Sequence, residues 1–176
     1  MKPRSIASLA LLVMALAMQA CVIWVDPEPA PIAARPAPPR DWMAEIRKAA
    51  AASTSIVEAT PLLDPAVADL RAQAKTAEDA GQFAEADVQL KQAVGVRADD
   101  PDLWQWRAEI ALARKRWREA ATFAQRSLEL GPRIGTLCIR NWLSLEAART
   151  ELGDLVSAKS ARAQVKSCEV PDLIRM

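Results

Sequence analysis

Gly81-Gln82-Phe83-Ala84-Glu85-Ala86 and Lys115-Arg116-Trp117-Arg118-Glu119-Ala120 are one phrase written twice, 34 residues apart. Each runs from a turn residue through an aromatic to Glu-Ala. Carried outward, the same offset places Leu70 on Trp104, Ala74 on Ala108, Ala77 on Ala111, Leu90 on Ala124 and Val94 on Leu128. A fixed period of this length marks small units that cannot bury an apolar face alone and stack to share a core. Small residues at set points let paired helices approach, a large one fills the gap, and the aromatic opens each second helix. A third copy follows at an offset of 38. Gly153-Asp154-Leu155-Val156-Ser157-Ala158 repeats the turn with Leu155 for the aromatic, and Trp142 stands for Trp104. About four residues are inserted around 133–138, and Glu146 and Arg149 occupy places that are small in the first two copies.

Local signals agree with helical units. Asp64-Pro65 and Asp100-Pro101 each set a side-chain acceptor before a proline, a favoured helix start. Gly131-Pro132 closes the second unit. Residues 41–58 predict a further helix, with Trp42, Met43, Ile46 and Ala50 in one apolar sector. Alanine is abundant, phenylalanine scarce, tyrosine and histidine absent, and there are six tryptophans. Such a composition suits close-packed helices better than a sheet, which favours β-branched and aromatic residues.

These residues resemble the tetratricopeptide repeat, a helix–turn–helix unit of this period. The resemblance spans residues 67–168 and implies an all-α fold: a short right-handed superhelix of about three helical hairpins within residues 61–170. Stacked repeats leave an apolar face open at each end, so the helix in residues 41–60 is expected to cap the stack, with membrane-surface contact or partner docking as the alternatives. Residues 171–176 are a tail whose Leu173 and Ile174 are expected to fold over the last hairpin. The resemblance also implies a concave groove, lined by the first helices, for a protein or peptide partner. The matching positions are Arg71, Lys75 and Glu78, then Gln105, Trp106 and Glu109, then Arg140 and Leu143. Trp106 lies two residues after Trp104, about 200° around the helix, so the two cannot share a face. Trp106 is either an exposed anchor for a partner or packed against the preceding repeat. Lys75, Trp106 and Ser144 replace the amides with which some family members grip a C-terminal carboxylate.

The chain head reads as an export signal. Lys2 and Arg4 precede the uncharged run from Ser5, as in a secretory signal peptide over residues 1–20. Leu16-Ala17-Met18-Gln19-Ala20-Cys21 resembles the lipobox of bacterial lipoproteins, which implies cleavage before Cys21 and a covalent lipid on its thiol. Two alternatives stand beside it: cleavage after Ala15-Leu16-Ala17 to a soluble product, or an uncleaved helix, since Ser5 to Val25 is 21 uncharged residues and about 20 span a bilayer. All three place the rest of the chain outside the cytoplasm. Val22 lacks the aspartate that retains many lipoproteins in the inner membrane, which by resemblance implies the periplasmic side of the outer membrane. Residues 21–40 form the tether, with six prolines between Pro27 and Pro39. Repeated proline forbids helix and sheet interior, leaving an extended spacer or a docking motif for a proline-recognising domain.

With Cys21 assigned to lipid, Cys138 and Cys168 remain, and an exported compartment favours their pairing. In a hairpin turning at 152–153, antiparallel neighbours have numbers that sum to about 305, as 138 and 168 do. Two separate small core residues are the alternative.

The chemistry for an enzyme is not assembled. There is no histidine for a Ser-His or Cys-His pair, no CxxC for a metal and no glycine-rich phosphate loop. Glu78/Asp79 and Asp99/Asp100 fall where solvated faces and caps belong, so a two-carboxylate hydrolase is a remote alternative. No cofactor or metal is expected beyond the lipid on Cys21. Without residues 1–20 the chain has 21 basic and 22 acidic residues, a net −1, which offers no field for nucleic acid. The basic run Arg114-Lys115-Arg116-Trp117-Arg118 reads as a solvated turn, or as a contact for an anionic envelope polymer or lipid. The reading is a non-catalytic interaction module on an envelope lipoprotein, a scaffold or assembly factor for a secretion, pilus or cell-wall machine. Self-association into a homo-oligomer is the structural alternative.

Overall fold

A computed structural model describes residues 40–53 and 64–169. The signal segment, Cys21, the tether up to Pro39 and the tail 171–176 lie outside the described residues. Among those described there are seven α-helices and no strand: α1 (Trp42–Ala51), α2 (Pro65–Asp79), α3 (Phe83–Val96), α4 (Pro101–Ala113), α5 (Trp117–Leu130), α6 (Gly135–Glu151) and α7 (Leu155–Gln164), ending in a 3-10 turn, Val165–Cys168. They pair as hairpins α2–α3, α4–α5 and α6–α7, and each second helix also packs on the first helix of the next hairpin. This is an all-α stack of tetratricopeptide-like hairpins.

The caps fall where the Asp-Pro steps predict. Asp64 accepts from the Ala66 amide at 2.9 Å and Asp100 from the Asp102 amide at 2.9 Å, each with proline in the first turn. All three hairpins turn alike. Gly81, Lys115 and Gly153 adopt φ of 70°, 58° and 79°, and the next residue donates back five positions, Gln82 to Ala77, Arg116 to Ala111 and Asp154 to Arg149, at 2.8–2.9 Å. This left-handed ending satisfies carbonyls that the last helical turn would leave without partners. Lys115 does it with a Cβ. Gly131 ends α5 for a different reason: its φ is −91°, but an added Cβ would lie 2.9 Å from the Ser127 carbonyl oxygen and 3.2 Å from Pro101 Cβ. There the end of α5 crosses the start of α4, and Ser127 Oγ donates to the Pro101 carbonyl at 2.7 Å.

The small positions of the repeat are the core. Ala74, Ala86, Ala108, Ala120 and Ala124 are inaccessible, and Ala77, Ala111, Ala158, Leu90, Val94 and Leu128 are buried with them. Arg107, also buried, stacks on Phe123 with its guanidinium 4.1 Å from the ring centre, while Asp87 accepts from both Arg107 and Arg114. Two members of the basic run are thereby neutralised, since Arg116 pairs with Glu119. The third copy departs at its aromatic position. Leu155 is 65% exposed, beside Val156 at 83%, because no further described hairpin follows α7 to cover it. Cys138 and Cys168 are joined by a disulfide, Cα atoms 5.6 Å apart, tying the start of α6 to the 3-10 turn.

One element is placed otherwise than the sequence predicts. The helix expected over 41–58 is described for Trp42–Ala51, with 54–63 outside the described residues. It does not cap an end of the stack. It packs on α4 and α6, across the first helices of the second and third hairpins. The periodicity of α1 says that one face must be covered; it does not say by what.

Candidate functional site

α1 lies across the first helices of the second and third hairpins, on the face where the repeat resemblance implies a groove. Trp42, Ile46 and Ala50, spaced by four, form the buried stripe of α1 and share a cluster with Ile139, Leu143 and Ala147 of α6 and Leu112 of α4. Met43, half-buried, packs toward the core of the first hairpin. Trp42 Nε1 donates to Glu151 at 2.8 Å near the end of α6, while Arg47 shares Glu109 with Arg140 nearer its start, so α1 runs against α6. Asp41 caps α1 by accepting from the Ala44 amide at 3.0 Å.

Beside this stripe runs a chain of charges linking all three first helices. Arg47 grips Glu78 of α2 with both terminal nitrogens, at 2.5 and 3.0 Å, and its Nε donates to Glu109 of α4 at 2.7 Å. The other Glu109 oxygen accepts from Arg140 Nε at 2.7 Å and Gln105 Nε2 at 3.0 Å. Arg140 also donates to Asp102 at 3.0 Å, and Arg71 pairs with the second Asp102 oxygen. Gln105 Nε2 also donates to Ser144 Oγ at 2.8 Å. Trp106 Nε1 donates to Glu78 at 2.5 Å, and the Arg71 guanidinium stands 5.8 Å from the Trp106 ring centre.

Burial and pairing oppose each other at these groups, and pairing wins. Burial pushes the Glu78 carboxyl up, but the bonds from Arg47 and Trp106 outweigh it and hold it below the usual carboxylate range. Burial likewise works against the charges of Arg47 and Arg140. Glu78 and Glu109 for Arg47, and Glu109 and Asp102 for Arg140, more than restore them.

Seven of the eight groove candidates meet here: Arg71, Glu78, Gln105, Trp106, Glu109, Arg140 and Leu143. Lys75 does not; it is exposed and pairs with Asp79 along α2 at 2.5 Å. Their contacts, however, are with the chain's own helices. Trp106 is half-buried against the preceding hairpin through Glu78, not an exposed anchor. Glu78 and Asp100, expected on solvated faces and caps, are both buried, each 8% exposed. The cap at Asp100 is as expected, but packing of successive hairpins closes over it. Sequence reasoning missed Arg47 and Asp102, and placed Trp42 on the apolar sector of its helix without bringing it to this site. The available signal was a pair of glutamates, Glu78 and Glu109, on neighbouring first helices, which together call for a cation from elsewhere.

A cleft of about 390 Å³ opens between α1, α6 and α7, with Ile46, Ala49 and Leu143 among its apolar residues and Arg40, Lys48 and Arg162 among its charged ones. Among the described residues no three His, Cys, Asp or Glu side chains converge as a metal set, and no helix is long and apolar enough to cross a membrane.

No protein-family model matches the chain, and no curated protein matches it. Among solved structures, the chain is similar to the globular C-terminal domain of P. aeruginosa LpoP, at 25% identity and a TM-score of 0.55, over 59% of this chain and 98% of that one.

Proposed function

We propose that the chain is a bacterial envelope lipoprotein whose helical-hairpin domain is a non-catalytic protein-interaction module, a scaffold or assembly factor for a secretion, pilus or cell-wall machine. One observation carries this reading: the inner face of the stack grips an amphipathic helix through an apolar stripe and a bidentate arginine (Trp42, Ile46, Ala50 and Arg47). A face that holds one helix by side chains has the chemistry to recognise helices. The likeness to the globular C-terminal domain of LpoP supports reading the residues behind the tether as a self-contained domain. The lipobox-like run ending at Cys21 supports the lipid anchor, and Val22 supports the outer membrane. The pairing of Glu78, Glu109 and Asp102 with arginines weighs against a two-carboxylate hydrolase, which needs one carboxyl free to move a proton.

The test is photo-crosslinking in the native envelope from single positions. A probe at Lys48 or Lys75, beside the groove, is expected to capture a protein partner, and a probe at Val88, exposed on α3, is not. Equal capture from both faces, or none from either, would sink the reading. A second reading, self-association, is favoured by the exposed Leu152, Leu155 and Val156 at the last described hairpin. Sedimentation showing only a monomer across a wide concentration range would remove it.

A further inference from the structure

α1 belongs to none of the three repeat copies, and two of the three core clusters take no buried residue from it. The cluster of Ala108, Ala124, Leu128, Leu145 and Ala161 contains no α1 residue, and the one around Leu90 and Ile110 receives only the half-buried Met43; only the cluster of Leu112, Ile139, Leu143 and Ala147 takes in the α1 stripe. With ten residues, α1 is shorter than the roughly 12–15 that a free helix needs to hold in water. Its helicity therefore depends on the groove. Besides the Trp42 Nε1 bond to Glu151, its contacts are of two kinds: an i, i+4, i+8 stripe of Trp42, Ile46 and Ala50, and one guanidinium shared between two glutamates. The second kind is selective. Glu78 takes both terminal nitrogens while Glu109 takes Nε, an arrangement that a planar guanidinium meets and a lysine ammonium does not.

The geometry points to this groove as the acceptor for a partner protein's helix of α1's own chemistry, with α1 as its resident competitor. The partner helix carries an aromatic with a ring N–H, an aliphatic residue four positions on, an arginine directly after it, and a small residue three positions further. This inference rests on the interaction reading and names the class of partner. Charge complementarity supports it: Arg71 pairs with Asp100 and Asp102, and Arg140 with Asp102 and one oxygen of Glu109, so the two cations of the first helices face Asp100, Asp102, Glu78 and Glu109, and the acidic excess is met by the occupant's arginine at Glu78 and at the other oxygen of Glu109. Because α1 is joined to α2 through residues 52–64, it competes as an intramolecular ligand at high effective concentration. A partner therefore binds weakly until α1 is loosened.

The probe is a fluorescein-labelled synthetic peptide of residues 40–53, titrated into the full chain bearing Cys21→Ser. Loosening the resident helix with Trp42→Ala and Ile46→Ala leaves every groove residue intact. This form is expected to bind the peptide at least tenfold more tightly than the chain with its own α1 unaltered. The same peptide with Arg47→Lys is expected to bind the loosened chain at least tenfold more weakly. Circular dichroism and a closed Cys138–Cys168 bond check that the loosened chain is folded; if it is not, Arg47→Ala alone replaces it, with the same direction expected. Equal affinity for loosened and unaltered chains, or no binding to a folded loosened chain, overturns the inference. So does a dimer of the unaltered chain that peptide dissociates, since the occupant is then a second copy. Envelope crosslinking separates the two readings: partners captured without peptide binding keep the interaction role and remove this site, whereas peptide binding without captured partners leaves a groove for α1 alone and overturns both.

Discussion

Removing the Arg47 guanidinium leaves Glu109, which is wholly buried, with Arg140 and Gln105, and leaves Glu78 with Trp106 alone among its hydrogen-bond donors. An uncompensated buried carboxylate is costly, but Glu109 keeps a partner and Arg47 is 35% exposed. The expected cost of Arg47→Ala is therefore about 1–3 kcal/mol, below that of breaking a fully buried pair. Chemical denaturation measures it, and adding Glu78→Gln should return part of the loss because one lone charge goes with it. The same carboxylate sets an acid limit. Its folded-state pKa lies below its unfolded value, so its stabilisation is complete above the unfolded carboxylate range and is lost as pH falls through the folded value. Hydrogen exchange of the α1 amides is expected to rise steeply below about pH 4. In Glu78→Gln that rise should flatten; an unchanged acid profile would mean that other carboxylates control the release of α1.

At the level of elements, the three hairpin turns form a natural comparison, with Gly81 and Gly153 against Lys115 at the same left-handed position. A Cβ there costs about 1–2 kcal/mol, partly offset by the greater unfolded-state freedom of glycine. Lys115→Gly should therefore raise stability by about 0.5–1 kcal/mol, seen as a higher thermal midpoint. The brace on the last hairpin works through the unfolded chain. The Cys138–Cys168 bond closes a loop at a sequence separation of 30, and Cys138→Ser with Cys168→Ser should cost about 3–4 kcal/mol in the chain-entropy view. Exchange should rise first in α7, whose outer face no described helix covers. The hairpins were legible because their signals are local: an Asp-Pro step starts a helix, a glycine turn ends one, and alanines at a fixed period mark the close contacts. The same register brought Glu78, Glu109, Arg140 and Leu143 together on the face that α1 covers. What covers that face was not legible. The Trp42–Ile46–Ala50 stripe fits any apolar surface, and choosing α4 and α6 over an end of the stack depends on Arg47 meeting two glutamates that lie 31 and 62 residues away. Trp106 was undecided for the same reason, since its partner Glu78 is 28 residues away.

Seen as a whole, the described fold begins at α1, so whatever holds the chain's head acts on the helix in the groove before it acts on any hairpin. Arg40 and Asp41, at the start of α1, follow directly on the proline-rich run that ends at Pro39. The proposed lipid on Cys21 and the proposed tether are tested separately, one as the anchor and the other as the reach. Cys21→Ser should release the chain from the membrane fraction without changing its thermal midpoint, because the substitution alters none of the residues of the described cores. Should the variant stay with membranes, the uncleaved run from Ser5 to Val25 is the anchor instead. Deleting residues 27–38 should leave fractionation and stability unchanged but abolish the crosslinks from Lys48 and Lys75, since a domain held against the membrane cannot meet a partner positioned beyond it. Crosslinks that survive the deletion would place the partner at the membrane surface and take from the tether its role as a measure of distance.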